Sequence, residues 1–146
     1  MADNRSNAPT FQRLNDAEES GSVQTADVAA GGLRGILDAL LKVEGVTAAL
    51  VVGRDGFAIE SVSSNSVDTD SVAAIAASSL TAAEAMGEAL KLGTMGSILI
   101  EYELGPVAVT PAGPDAVLAV VGNQGANLGR VRIEMRKVRQ AVATQL

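Results

Sequence analysis

The 146-residue chain has no cysteine, no histidine and no tryptophan, and its aromatic residues are two phenylalanines and one tyrosine. Without cysteine there is no disulfide framework, no thiolate nucleophile and no cysteine-rich metal site. Without histidine there is no imidazole base. That removes the Ser-His-Asp and Cys-His arrangements and the commonest ligand of zinc and most transition metals. Neither a catalytic residue, a cofactor nor a metal is expected. The opening run "MADNRSNAPTFQRLN" is polar and lacks the apolar region of a secretory signal. No stretch approaches the ~20 apolar residues that span a bilayer, so the expectation is a cytoplasmic protein without membrane insertion. A net charge of −6 argues against nucleic acid as a partner.

What is present is aliphatic. Hydrophobic residues make up 47% of the chain, enough for a core of Ala, Val, Leu and Ile in one domain. Residues 1–27 are rich in Asn, Ser, Asp and Glu without a sustained period, and read as a disordered tail. Phe11 and Leu14 are its candidates for a short docking motif. The domain is expected over 28–146.

Leu33, Ile36, Leu37, Leu40 and Leu41 recur at helical spacing, with Gly45 as the expected C-terminal cap. "VTAALVVG" (46–53) reads as a buried strand, "RDG" as a hairpin turn, and "FAIESV" (57–62) as its return. In that return Phe57 and Ile59 share one face and Glu60 takes the other. A second helix over about 69–91 is capped by Thr69 or Asp68. Three strands follow, 96–103, 107–112 and 116–122, with connections short enough to force antiparallel neighbours. A last helix runs from Asn127 to Gln145. This order predicts an α/β (α+β) sandwich. One five-stranded antiparallel sheet carries one long helix on one face and two helices on the other.

Between Ser71 and Ala83 the second helix has no charged residue. On a 100° wheel, Val72, Ile75, Ala76, Ser79, Ala83, Met86 and Leu90 form the stripe expected to face the sheet. The opposite side holds Asp70, Ala74, Ala77, Thr81, Ala85 and Glu88. Two readings fit that small, apolar side: a solvated stretch in which alanine is simply a good helix former, or a helix covered on both faces, by its own sheet and by another chain. The length of the uncharged run favours the second, so the helix is expected to be an interface.

Three other features invite a chemical reading. "GNQGANLGR" (122–130) joins a strand to a helix, the setting of a phosphate loop, but its glycines fit neither nucleotide fingerprint. The alternatives are a small-molecule or nucleotide sensor and a turn capped by Asn127. The last helix is basic, and Arg132, Arg136 and Arg139 line one flank, either as a solvated face or as a docking strip for an acidic partner or an anionic membrane surface. Glu101 and Glu103 lie two residues apart on one strand, suited to acid/base work or to keeping an edge strand soluble.

"GVTAALVVGRDGFAIES", the alanine-rich helix, and "IEYELGPVAVTPAGPDAVLAVVGNQGANLGRVRIEMRKV" together resemble the roadblock / dynein light-chain family over about residues 33–143. The most specific stretch is "VTPAGPDAVLAVV" leading into "ANLGRVRIEMR". The resemblance implies a homodimer in which the second helix and the third strand, with Ile98 and Ile100, meet their symmetry mates in a continuous sheet. It implies a regulator or platform for small Ras-like GTPases or motor complexes, with no catalytic residues of its own. In the prokaryotic gliding-motility branch the dimer activates its GTPase, which docks over the paired second helices. The corresponding positions here are Ala74, Ala77, Ser78, Thr81 and Ala85, with Glu88 on the same side. No Arg or Lys lies between Asp70 and Lys91, so activation through this face is expected to be indirect.

Overall fold

A computed structural model describes residues 31–146, so the segment 1–27, with Phe11 and Leu14, lies outside the described residues. The elements are α1 (Gly32–Leu41), β1 (Val46–Gly53), β2 (Ala58–Ser63), α2 (Thr69–Ala89), β3 (Ile98–Tyr102), β4 (Gly105–Ala112), β5 (Ala116–Gly122) and α3 (Leu128–Thr144). The sheet runs β2-β1-β5-β4-β3 with every neighbouring pair antiparallel. The expected sandwich is the observed one.

The two central strands are covered on both sides, which is why "VTAALVV" and "AVLAVV" are nearly unbroken apolar runs. Ala48, Leu50 and Val52 of β1 face α2, whereas Ala49 and Val51 face α1 and α3. On that second face Ile36, Leu37 and Leu40 of α1 meet Val131, Met135, Val138 and Val142 of α3.

Caps locate the helix starts. The Asp68 carboxylate accepts from the Ser71 amide at 3.2 Å and from its hydroxyl at 2.7 Å, so Asp68 rather than Thr69 caps α2. Asn127 accepts from the Arg130 amide at 3.0 Å and caps α3.

Gly45 has a different role from the one expected. Helix α1 ends at Leu41, and the Lys42 and Val43 amides turn back to donate hydrogen bonds to the Ala39 and Leu40 carbonyls. Gly45 instead takes φ +84° where a Cβ would lie 2.4 Å from the Ala126 backbone. Its carbonyl accepts from the Asn123 amide at 2.8 Å, tying the entry of β1 to the loop before α3. The β1–β2 hairpin departs from simple alternation as well. Val51 pairs with Glu60 but Val52 with Ala58, which leaves Ile59 as the extra residue of a β-bulge. Phe57 and Ile59 are therefore exposed, and Ala58 and Val62 point inward.

Candidate functional site

Helix α2 is rotated from the orientation that side-chain size suggests. Its buried line is Ala73, Ala76, Ala77 and Leu80, at i, i+3, i+4 and i+7. Ile75 is 65% exposed, and Met86 (62%) and Leu90 are alike in facing outward. Three alanines among the four buried residues let the helix backbone lie close over Ala48, Leu50, Val117 and Ala119. A stripe with Ile75 and Met86 inward would hold it away from those strands, and close packing favours the alanine line. The expected sheet-facing stripe is thus corrected at Ile75, Met86 and Leu90. Ala77, placed on the outer side, is 3% exposed and packs in the core.

Of the remaining outer positions, Ala74, Ser78, Thr81, Ala85 and Glu88 are all exposed. Ala74, Ser78, Thr81 and Ala85 share one flank and, with Phe57 of the hairpin, line an open groove of about 760 Å³, with Ala77 at its floor. The Thr81 hydroxyl donates back to the Ala77 carbonyl at 3.1 Å, leaving the groove wall largely methyl in character. Ile75, Met86 and Leu90 occupy the neighbouring flank, outside the groove.

The residue that the sequence reading missed is Arg54. It is remote from α2 along the chain, but the hairpin folds it onto the helix. Its guanidinium forks onto the Glu84 carboxylate, one arm to Oε1 and the other to Oε2 at 3.3 Å. The Arg54 amide donates to the Asp115 carbonyl at 3.1 Å, anchoring the turn. The charge-free stretch of α2 thus ends at a residue already engaged by its own chain.

Strand β3 is an edge, hydrogen-bonded to β4 alone among the described residues. Ile98 and Ile100 register with Val109 and Val107, placing both half-buried on the α2 side. Glu101 lies in β3 on the opposite side and Glu103 in the turn beyond; both are exposed. In the 122–130 loop the Gly125 amide is bound to the Asn123 side chain at 2.8 Å, and the Ala126 amide to the Asn123 carbonyl. With the Arg130 amide on Asn127, three donors that a phosphate would need are occupied. Arg132, Arg136 and Arg139 are brought together on α3, across the sheet from α2.

The α3 stripe holds one surprise. Glu134 is 1% exposed and lies in the buried line of α3 with Val131, Met135, Val138 and Val142, whereas Leu128 at the helix start is only half-buried. The carboxylate takes Arg130 Nε at 3.2 Å and Lys137 Nζ at 3.8 Å.

Comparison with known proteins agrees with this architecture. The Roadblock/LC7 domain profile matches residues 34–122, and the chain belongs to that family. An uncharacterised protein of Methanocaldococcus jannaschii is 35% identical over 107 residues, covering 73% of this chain and 93% of the relative. Among solved structures, the gliding protein MglB from Thermus thermophilus has a TM-score of 0.71 at 23% identity, covering 86% of this chain and 95% of its own. A Roadblock/LC7 domain from Streptomyces avermitilis also reaches 0.71, at 20% identity, covering 77% and 96%.

Proposed function

We propose that the protein is a non-catalytic homodimer that regulates or scaffolds a small Ras-like GTPase in the cytoplasm, seating it over paired α2 helices. The observation that carries this reading is the outer side of α2, where Ile75, Met86 and Leu90 stand in water beside a flank of small residues. Such a surface gains from being covered. The edge of β3, unpaired on its outer side among the described residues, supports a second copy as one of the coverings, since such a row of amides and carbonyls is a template for another strand. The GTPase partner is the one that the family resemblance implies.

Activation in this reading is indirect. A GTPase activator commonly supplies an arginine to the transition-state charge, and α2 carries none. Arg54, at the groove, is held by Glu84. The dimer instead favours a GTPase conformation whose own residues complete the active site. Light scattering at micromolar concentration tests the dimer, and a stable monomer overturns it. Hydrolysis assays with Ras-like GTPases of the same genome test the rest, using Arg→Ala variants at 34, 54, 130, 132, 136 and 139. Every variant is expected to keep stimulation. Loss in one of them with binding intact would assign an arginine finger. No binding to any such GTPase would remove the partner.

A further inference from the structure

Helix α3 sets five cations against one acid: Arg130, Arg132, Arg136, Lys137 and Arg139 against Glu134. That acid is buried and turned toward Arg130 and Lys137. The other three cations, at i, i+4 and i+7, form one row about 10 Å long at 1.5 Å per residue. None of the three forms an ion pair among the described residues. Like charges at this spacing repel. In a chain with 11 Lys and Arg against 17 Asp and Glu, an uncompensated trio of arginines stands apart from the overall balance.

The row also walls a hollow of about 340 Å³, completed by Gly96 and Ser97 ahead of β3 and by Thr110 of β4. The Thr110 hydroxyl, in a residue only 3% exposed, donates to the Gly96 carbonyl at 2.8 Å. That bond fixes the Gly96–Ser97 wall against β4 and leaves the exposed Ser97 side chain at the rim.

We propose that this hollow binds an oxyanion ligand carrying two or more phosphoryl groups. Arg132, Arg136 and Arg139 would hold it through forked guanidinium contacts, with the Ser97 hydroxyl donating at the rim. A guanidinium fork matches two oxygens of a phosphate, and three forks call for a ligand of at least two negative charges. The site lies across the sheet from α2, so its occupant and a partner on α2 do not compete. The same chemistry is offered by a free polyphosphate and by the headgroup of a phosphorylated inositol lipid.

The test uses the full chain. Calorimetry with pyrophosphate and tripolyphosphate at constant ionic strength forms one arm. Co-sedimentation with phosphatidylcholine vesicles, with and without phosphatidylinositol bisphosphate, forms the other. Saturable binding is expected in at least one arm, falling as salt rises. Arg136→Gln should weaken it at least tenfold, and the Arg132→Gln/Arg136→Gln/Arg139→Gln triple variant should abolish it. The unliganded melting temperature of Arg136→Gln should match the parent's, separating lost binding from lost folding. Binding of the soluble anions assigns a free ligand, and binding to the lipid vesicles alone assigns a headgroup. No binding in either arm at millimolar phosphate, or equal binding by the triple variant, overturns the proposal.

Discussion

Arg54 and Glu84, 30 residues apart in sequence, close a forked ion pair that clamps the β1–β2 hairpin onto α2. Both side chains are about one-third exposed, so water screens the pair, and its forked geometry is what lifts it above an ordinary surface contact. A double-mutant cycle with Arg54→Ala and Glu84→Ala should give a coupling of roughly 0.5–1 kcal/mol in urea unfolding. Glu84→Ala should cost more than a surface change does, because Arg54 Nε is already buried without a partner. Additive single effects would mean that the clamp contributes nothing.

Ala77 and Ser78 are neighbours in sequence with opposite fates. Ala77→Arg forces a long charged side chain between α2 and the sheet and should cost about 3 kcal/mol or more. Ser78→Arg, at an exposed position, should change stability by no more than about 0.5 kcal/mol. Comparable melts for the two variants would contradict the observed rotation of α2.

If α2 is a self-association surface, Ile75→Asp should weaken the dimer at least tenfold. The monomer's stability should stay within about 0.5 kcal/mol, since Ile75 leaves the core uncontacted. Sedimentation across a concentration series reads the shift. An unchanged dimer constant would move the interface elsewhere.

Glu134 is the acid inside the α3 stripe. Glu134→Ala removes the shared acceptor of Arg130 and Lys137, both of which are about one-third exposed and can turn to water. The expected loss is about 1–3 kcal/mol, with Glu134→Gln milder. A neutral effect of Glu134→Ala in chemical unfolding would show that the carboxylate stabilises nothing.

Asp68 is held below the ordinary aspartate value by the Ser71 hydroxyl first and the Ser71 amide second. A depressed native pKa means that the charged cap contributes fully above the unfolded value and fades as pH falls below about 4. The melting temperature of the parent should therefore drop more than that of Asp68→Asn between neutral pH and about pH 3. Parallel curves would show that the carboxylate charge is not what caps α2.

The element order was legible because each element is written locally. The continuous apolar runs of β1 and β5, the Asp-Gly turn and the Asn127 cap need no distant partner to be recognised. The outer small-residue flank of α2 was legible too, at Ala74, Thr81 and Ala85, because a run without charge is visible in one dimension, whereas Ser78 entered only through the family resemblance. Which of the bulky residues faced inward was not. A wheel ranks side chains by size, whereas α2 docks by how closely its backbone approaches the strands beneath.

The sequence by itself determined the family, the succession of helices and strands, and the missing imidazole and thiol chemistry, all of which follow from residue identities and short-range periods. Only the tertiary structure decided that Ala77 is core and Ile75 is surface. Only it brought Arg54 to Glu84, drew Glu134 inside, and placed three arginines of α3 and Ser97 on the walls of one hollow. Those outcomes depend on which surfaces the assembled sheet leaves room for, and that room is shaped by strands distant in sequence, which no local period records.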